Sequence, residues 1–455
     1  MTDQPADSNP SDAADLDAIG TPRLLRPLEK FLHIEAASGI VLLTAVVVAL
    51  VWANWPGSHS YHDVWHSALG FHFGAWTVSE PVHFYINDVL MTVFFLVVGL
   101  EIRREIHEGA LASLRLAALP LAAALGGILV PAVIYVALDA NGALLRGWAI
   151  PTATDIAFAV GMLALLGKRV PTQLRILLLA IAIIDDIGAI LVIAFFYSSG
   201  IKLAGLAVAV AGIALVRVYH WLGVRTALPY VVPGAVVWIG ILYAGVHPTI
   251  AGVVLGLLTP VTTPVDRKRL LNVATGLLQK VRDRFSSPEH APRTMVSPLQ
   301  QLKTMQRAMI PPVVRVEAAL HPWVAFAIMP LFALANAGVV IDESALRMLT
   351  ASSLGPGIVL GLLVGKPAGI LAAGFLATRS RVASLPAGVT MRGVLVIGCL
   401  AGIGFTMSIF ISQLAFGDEQ LLDTAKLAVL IASSLAALAG LLLGAWVLRP
   451  PAGAR

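Results

Sequence analysis

The stretch that decides the fold is Ala180-Ile181-Ala182-Ile183-Ile184-Asp185-Asp186-Ile187-Gly188-Ala189-Ile190, in which two adjacent carboxylates interrupt an apolar run. That run extends from about 176 to 196, which is long enough for a membrane-spanning helix. A carboxylate at bilayer depth costs about 2.5–3.5 kcal/mol on insertion scales. Two such costs in succession favour an ion or proton site. The alternative is a pair of protonated acids that only hydrogen-bond across a helix bundle.

Composition places this run in a membrane protein that crosses the bilayer many times. The chain has 455 residues, of which 58% are hydrophobic and 13% charged, whereas soluble domains have about 25% charged residues. The net charge of +5 comes from basic residues in short loops, without the basic and aromatic patch of a nucleic-acid binder. The single cysteine, Cys399, excludes a disulfide framework and a thiolate metal cluster.

Hydrophobic segments predict an all-α fold with twelve transmembrane helices. They lie near 36–55, 84–103, 117–138, 147–167, 173–198, 202–219, 228–244, 247–259, 319–341, 355–377, 393–416 and 424–448. Lys and Arg concentrate on alternate flanks, and the opposite flanks hold only Arg146, Lys202, Arg347 and Lys426. Because basic loops stay in the cytoplasm, both termini are expected there.

The segments outside the bilayer are expected to be small. Residues 1–22 are polar and acidic and predict a disordered tail, ahead of a transmembrane unit at 23–450 and a short tail at 451–455. The outer loop at 56–83 contains a stretch, 71–78, in which apolar and polar residues weakly alternate, and this stretch can form a hairpin. The cytoplasmic loop at 260–317 contains apolar residues at helical spacing over 270–281, which predicts a helix on the inner leaflet.

Three histidines in the outer loop could approach one another on a short helix. They are His59, His62 and His66. A metal site there is the weaker interpretation, because no matching carboxylate or cysteine ligands are evident. An interfacial helix rich in polar aromatic residues is favoured.

Segments four and eleven both carry signs of a break in the helix. In 151–157 (PTATDIA), a proline removes a helical hydrogen bond and threonine hydroxyls can satisfy the freed carbonyls. Asp155 beside such a break could compensate the positive end of a half-helix; the alternative is a plain kink with an interfacial aspartate. In 402–408 (GIGFTMS), glycines and hydroxyls lie in mid-span. Paired interrupted segments in corresponding halves point to a transport site between inverted repeats.

Lys366 occupies the centre of segment ten, too deep for its amine to reach the interface easily. It needs a carboxylate partner, and Asp185 or Asp186 is the natural candidate. A purely structural ion pair remains the alternative. At the end of segment two, the spacing of Glu101, Arg104 and Glu105 puts them on one helical face, where a solvated ion-pair cluster is the simplest interpretation.

The motifs 182–190 (AIIDDIGAI), Thr154-Asp155, 365–367 (GKP) and 404–410 (GFTMSIF) resemble those of the bacterial NhaA-type sodium/proton antiporters. The resemblance runs from about residue 38 to the end of segment twelve. It implies an inverted-repeat antiporter fold in which interrupted helices four and eleven cross. It also implies a protein of the bacterial inner membrane that exchanges cytoplasmic Na⁺ or Li⁺ for external H⁺.

The resemblance also implies roles for individual residues. Asp185 and Asp186 would form the shared cation and proton site, with Thr154 and Asp155 assisting at the crossing and Lys366 paired to Asp185. Five positions match those that the family uses for pH activation, and a sixth matches a further acidic residue of the family. The five are Glu101, Arg104, Glu105, His247 and Glu317, and the sixth is Asp88. A homodimer contact is implied within 68–80, and no organic cofactor is implied.

The residues themselves are consistent with cation–proton exchange. A carboxylate that holds either a proton or a sodium ion turns competition into exchange when access alternates. Two acids and a lysine allow more than one proton per cation, so exchange would move net charge, worth about 2.3 kcal/mol per 100 mV. The hard oxygen ligands suit Na⁺ or Li⁺.

Two other classes of protein also bury carboxylates. An intramembrane aspartyl protease would bring Asp155 and Asp186 together around a shared proton, but its Gly-x-Gly-Asp motif is absent and Lys366 would disturb the pair. A sodium-coupled symporter would need a larger pocket, and no buried arginine is evident to hold an organic carboxylate.

Overall fold

The computed structural model describes most of the chain. The described residues are 26–56, 59–74, 76–109, 111–139, 142, 144–198, 200–224, 226–262, 275, 276, 279 and 310–448. The acidic tail predicted at 1–22, the tail at 451–455 and nearly all of the membrane-surface helix predicted at 270–281 lie outside them.

The described residues form fifteen helices and one small hairpin. In chain order these are α1 (Arg26–Ala53), α2 (Ser60–His66), β1 (Ala68–Phe73), β2 (Trp76–Pro81), α3 (Val82–Glu108), α4 (Leu114–Leu138), α5 (Ile156–Leu165), α6 (Thr172–Phe196), α7 (Leu203–Trp221), α8 (Val231–Tyr243), α9 (Thr249–Leu258), α10 (Pro312–Asn336), α11 (Glu343–Ala351), α12 (Leu354–Arg379), α13 (Met391–Ala401), α14 (Phe405–Ala415) and α15 (Glu419–Val447). Short 3₁₀ turns, such as Ile150–Thr152, precede some of them.

Length and composition make this a polytopic membrane protein. Eight helical stretches of the described part are long and apolar enough to cross a bilayer, and α13 with α14 passes the same test as a pair bent by 48°. Three further apolar helices are shorter: Ala37–Ala53, Leu228–Tyr243 and Thr249–Leu258. Many large apolar side chains on these helices are exposed, as expected of surfaces that face lipid.

One helix start that concerns a candidate residue differs from the sequence prediction, and one helix is additional to it. The prediction ends the cytoplasmic loop at 317 and begins the ninth segment at 319, whereas α10 begins at Pro312 and so includes Glu317. Proline is well suited to the first helical position, and the charged residues that follow it concealed the helix start in a search for apolar runs. The amphipathic helix α11 was not predicted, because it is short and polar on one side.

A close glycine contact packs α12, the helix that carries Lys366, against α4. A Cβ atom on Gly126 of α4 would lie 2.2 Å from the carbonyl oxygen of Gly369 on α12, and one on Gly369 would lie 2.1 Å from that of Gly126. The two backbones can therefore touch only because both residues lack a side chain. This crossing fixes α12, and with it Lys366, against the bundle interior.

The outer loop folds as a short helix followed by an antiparallel hairpin. The strands pair Ala68 with Pro81 and Phe71 with Val78, and Gly74 lies in the turn at φ 61°. Tyr61 of α2 donates a hydrogen bond to Leu334 O and accepts one from Gly338 N, at 2.9 and 3.0 Å. This side chain ties the outer loop to the end of α10.

Candidate functional site

The breaks in segments four and eleven touch each other. Residues 153–155 separate the turn Ile150–Thr152 from α5, and residues 402–404 separate α13 from α14. Asp155 N donates to Ile403 O at 2.7 Å, and Thr154 Oγ1 donates to Ala401 O at 2.9 Å. Each break therefore satisfies backbone groups of the other, which is how irregular backbone is tolerated at membrane depth.

Asp155 links two helix starts at this contact. Its Oδ1 accepts from Phe158 N at 3.0 Å and caps α5, while its Oδ2 accepts from Thr406 N at 3.2 Å and from the Thr406 hydroxyl. A carboxylate at the N-terminal ends of α5 and α14 offsets the partial positive charge of both. Asp155 is 1% exposed, so this compensation takes place out of water.

The two adjacent acids lie on α6 beside the breaks. Asp185 Oδ2 lies 2.9 Å from Lys366 Nζ, and both side chains are fully buried. Thr154 Oγ1 lies 2.7 Å from the same oxygen. Lys366 also donates to the Thr152 carbonyl, so its ammonium joins α6, α12 and the break in segment four.

Asp186 points elsewhere because neighbouring helical residues are about 100° apart. It is 2% exposed, and the charges of Glu101, Asp185 and Asp155 act on it. Within the described part of the chain, Oδ1 of Asp186 and Oδ1 of Asp185 are buried without a hydrogen-bond partner. Buried carboxylate oxygens without a donor are costly, and a proton or a cation would satisfy them.

Lys366 follows a local widening of its helix. Residues Gly361–Gly365 form a π-helical turn directly before it. Such turns concentrate at functional sites, because they re-aim the side chains that follow. Together the carboxylates, threonine hydroxyls and free carbonyls make a set of hard oxygen groups around one ammonium, which suits a small cation and protons.

The residues that the resemblance linked to pH activation do not form one cluster. Arg104 Nη1 lies 2.6 Å from Glu317 Oε1, and its Nη2 lies 3.9 Å from Glu105 Oε1. These contacts join the end of α3 to the start of α10, and Glu101 lies one turn earlier on α3. Glu317 is 8% exposed, so the pair is more buried than the solvated cluster that spacing alone suggests.

His247 and Asp88 lie far from that pair. His247 Nε2 lies 3.5 Å from Asp88 Oδ1, and its Nδ1 lies 2.8 Å from Thr249 Oγ1. Arg104 lies sixteen positions after Asp88 on α3, roughly 24 Å along the helix. The two groups therefore lie toward opposite ends of one helix.

Sequence reasoning missed several buried polar contacts. The contact of Thr406 with Asp155 is one of them. Another is the hydrogen bond that Ser408 Oγ donates to Ile150 O at 2.7 Å, a further link between segments four and eleven. A buried group of amides around Asn87 and Asn336 was also missed. The available signal was a polar side chain inside each apolar run, at 86–88 (IND) and 334–337 (LANA).

The histidines of the outer loop do not form a metal site in the part of the chain that the structure describes. His62 and His66 stack with ring centroids 4.4 Å apart. No group of three His, Cys, Asp or Glu side chains among the described residues could hold a metal ion.

Comparison with known proteins agrees with this architecture. Residues 29–443 match the family described as Na+/H+ antiporter 1. A Cupriavidus necator protein named Na(+)/H(+) antiporter NhaA is 57% identical over 92% of this chain and 89% of its own length. Proteins of the same name from Janthinobacterium sp. and Bordetella petrii are 56% and 54% identical, over 93% and 95% of this chain and 93% of each relative.

These matches cover nearly all of the chain, including both breaks and the buried charges. They do not favour the protease or symporter alternatives, and they make the chain a transporter rather than an enzyme. The spans and the relatives together indicate a multi-pass protein of the bacterial inner membrane. The chain therefore belongs to the Na⁺/H⁺ antiporter family of NhaA proteins.

Proposed function

We propose that this Na⁺/H⁺ antiporter binds its ions at Asp185 and Asp186, and exports cytoplasmic Na⁺ or Li⁺ in exchange for external H⁺. The observation that carries the proposal is the pair of buried carboxylates with unpartnered oxygens, held beside an ammonium at the contact of two helix breaks. Na⁺ would be satisfied by the same oxygens that otherwise take protons, so the two ions compete.

Competition becomes exchange when the site opens to one side at a time. A cation that binds Asp186 and Asp185 must displace the proton that Asp186 holds. It must also break the ion pair of Asp185 with the Lys366 ammonium, which can then release its own proton. The protons leave to the side from which the cation came. After the protein reorients and the cation leaves, protons from the other side return to Asp186 and Lys366, and the Lys366–Asp185 ion pair re-forms.

The same groups favour electrogenic exchange. Three titratable groups, Asp185, Asp186 and Lys366, serve one cation, which allows more than one proton per Na⁺. Each net charge then gains about 2.3 kcal/mol per 100 mV of membrane potential. An interior-negative potential would draw the extra proton inward and so drive Na⁺ out.

The architecture that fits this cycle has twelve spans and two crossed interrupted helices. Among the described residues, eight long helices and one bent pair are long enough to cross, and three shorter apolar helices would bring the number of segments to twelve. The reciprocal hydrogen bonds between 153–155 and 401–406 support a crossing of segments four and eleven. An inverted repeat would relate these segments, with both termini in the cytoplasm as the basic flanks indicate.

The proposal also includes regulation of the exchange activity by pH and a homodimer of the chain. Arg104 and Glu317 connect α3 to α10, and α3 also carries Glu101, whose charge acts on Asp186. A change in protonation around that pair, with Glu105 and His247 as further contributors, can thus reach the site along α3.

The hairpin at 68–80 would join two copies at their outer face.

The direct test is Asp186→Asn, which keeps the shape of the side chain and removes its charge. Purified Asp186→Asn protein, placed in proteoliposomes that contain a pH-sensitive dye, should show no proton exchange when Na⁺ or Li⁺ is added. Asp63→Asn, an exposed aspartate on α2, should exchange as the unmodified protein does. Normal exchange by folded Asp186→Asn would refute the site.

A further inference from the structure

A second buried polar cluster lies away from the carboxylates. We call it the amide cluster: His83 and Asn87 on α3, Asn336 at the end of α10, and Gln413 on α14. Asn336 is 1% and Asn87 6% exposed. Amides inside a membrane bundle are costly unless they are paired, so their presence at a three-helix contact needs a reason.

The members of the amide cluster bond one another across all three helices. Asn336 Nδ2 donates to Asn87 Oδ1 at 2.8 Å, and Asn87 Nδ2 donates to Gln413 Oε1 at 3.0 Å. Asn336 Oδ1 accepts from Gln413 Nε2 and lies 2.8 Å from His83 Nε2. Asn336 and Asn87 each contact all three of the other members, and Asn336 is the more deeply buried of the two.

The amide cluster holds the far end of the interrupted helix α14. The near end of α14 carries Thr406, which bonds Asp155 at the site. Gln413 lies seven residues farther along, roughly 10 Å away. Successive helical residues turn by about 100°, so Thr406 and Gln413 lie on the same face of α14, and this face connects the amide cluster to the carboxylate site. Ser408 and Ser412 are fully buried on the opposite face.

On its other side the amide cluster leads to the protein surface. His66 stacks on His83 with ring centroids 6.0 Å apart, and His62 stacks on His66 at 4.4 Å. His62 and His66 are exposed residues of the outer loop. The charged groups nearby are Lys426, which acts on His83, and Asp423, which lies 3.5 Å from Lys426. The amide cluster thus separates an exposed polar surface from the buried face of α14 that carries Thr406.

We propose that Asn336 is a positioning residue whose amide clamps α14 against α3 and α10 and shuts the outer route to Asp185 and Asp186. The inference rests on the proposed function, because it assigns the outer gate of that same site. A polar clamp suits a gate that must open in every cycle. Its hydrogen bonds hold the closed state in one geometry, and water replaces them when the helices part.

The opening of this gate can be measured with thiol labelling. Cys399 is the only cysteine, so a Cys399→Ser background leaves Ser412→Cys as the single target, next to Gln413 on α14. A membrane-impermeant methanethiosulfonate, added from outside to right-side-out vesicles, should label this thiol slowly. Asn336→Leu keeps the number of side-chain heavy atoms and removes the contacts with His83, Asn87 and Gln413. It should raise the labelling rate about tenfold or more, since a tenfold change corresponds to the net contribution of roughly one hydrogen bond.

Two further variants make the measurement decisive. Gln413→Leu removes one arm of the clamp at a half-buried position and should also raise the rate, which keeps the test usable if Asn336→Leu does not fold. Gln420→Leu, the same change at an exposed residue of α15, should leave the rate unaltered. Unaltered labelling in every folded clamp variant would overturn the proposal.

The closed state can also be locked. In the Cys399→Ser background, Asn336→Cys with Gln413→Cys, joined by a short bifunctional methanethiosulfonate, should lose Na⁺-dependent proton exchange and regain it on reduction. Continued exchange by the cross-linked protein would overturn the proposal. The labelling rate does not depend on transport. If Asp186 is not part of the ion site, Asp186→Asn will still exchange ions. That outcome is distinguishable from a failure of the gate, which the labelling rate reports.

Discussion

Lys366 Nζ lies 2.9 Å from Asp185 Oδ2, and neither side chain is exposed. Removing two charges from water is expensive, and their attraction offsets this only with good geometry and additional hydrogen bonds. Here the Thr152 carbonyl accepts from the ammonium and the Thr154 hydroxyl contacts the carboxylate. The pair is therefore stable while intact, and it is sensitive to anything that competes for Asp185, including a cation.

Lys366→Ala is expected to destabilise the protein by about 3–5 kcal/mol, because it leaves a buried carboxylate without its partner. The pH dependence or the electrogenicity of exchange should change as well. The midpoint of thermal unfolding in detergent and the potential dependence of exchange in proteoliposomes measure the two effects.

The matched control for this change is Lys366→Ala combined with Asp185→Asn, which removes both charges. It should recover part of the lost stability without recovering exchange. If Lys366→Ala alone were as stable as the unmodified protein and exchanged with the same pH dependence and electrogenicity, the lysine would have no part in the cycle.

Thr406→Val is expected to raise the Na⁺ concentration that gives half-maximal exchange by about tenfold. The change keeps the side-chain shape but removes a hydroxyl that bonds Asp155, and a buried acceptor that loses a donor costs about 1–3 kcal/mol. Thr424→Val is the control, since its hydroxyl is also buried but bonds only the Gln420 carbonyl of its own helix. Equal Na⁺ dependence in the two variants would contradict a role for Thr406 at the crossing.

Arg104→Gln is expected to shift the pH at which exchange begins, because it leaves Glu317 of α10 without the arginine that joins it to α3. Arg347→Gln provides the comparison: its partner, Glu343, is also a glutamate, but the side chains of this pair are 77% and 81% exposed. Exposed pairs contribute only about 0–1 kcal/mol, so that variant should keep the normal pH profile. A profile unchanged in Arg104→Gln would argue against a regulatory role for this contact.

Removal of 70–79 is expected to give a monomer that still exchanges Na⁺ and H⁺. An isolated two-stranded hairpin is marginally stable and has unpaired edges, so pairing with a second copy would satisfy them. Light scattering after gel filtration gives the oligomeric state, and proteoliposomes give the exchange rate. A dimer that survives the deletion would place the contact elsewhere.

Several parts of the candidate site could be predicted because the free-energy cost of burying a charged residue depends on its own position in the sequence. Acids and a lysine inside apolar runs are expensive wherever the helices lie, so Asp185, Asp186 and Lys366 were identifiable before any contact was known. The breaks near Pro151 and Gly402 were visible for a similar reason, since proline and glycine weaken a helix through their own backbones. The start of α10 was predicted too late because polar residues in its first turns conceal the helix in a hydropathy pattern.

Other parts depend on which side chains meet. Thr406 and Asp155 are 251 residues apart in the chain, and the sequence around one residue does not indicate that the other is its partner. The amide cluster is similar, because an asparagine in an apolar helix can be satisfied by several partners and only packing selects one. Likewise, spacing alone describes Arg104 as part of a solvated cluster on α3, whereas its shortest contact is with Glu317 of α10.

The sequence by itself determined that this is a many-helix membrane protein with a charged centre, because the hydrophobic effect and the cost of burying charge act on each residue where it stands. The residues alone left either Asp185 or Asp186 as the partner of Lys366, and the resemblance implied Asp185. Only the tertiary structure shows the contact itself and shows that the two breaks satisfy each other. Those outcomes depend on close helix crossings such as Gly126 with Gly369, which set the distances between side chains that are remote in the chain.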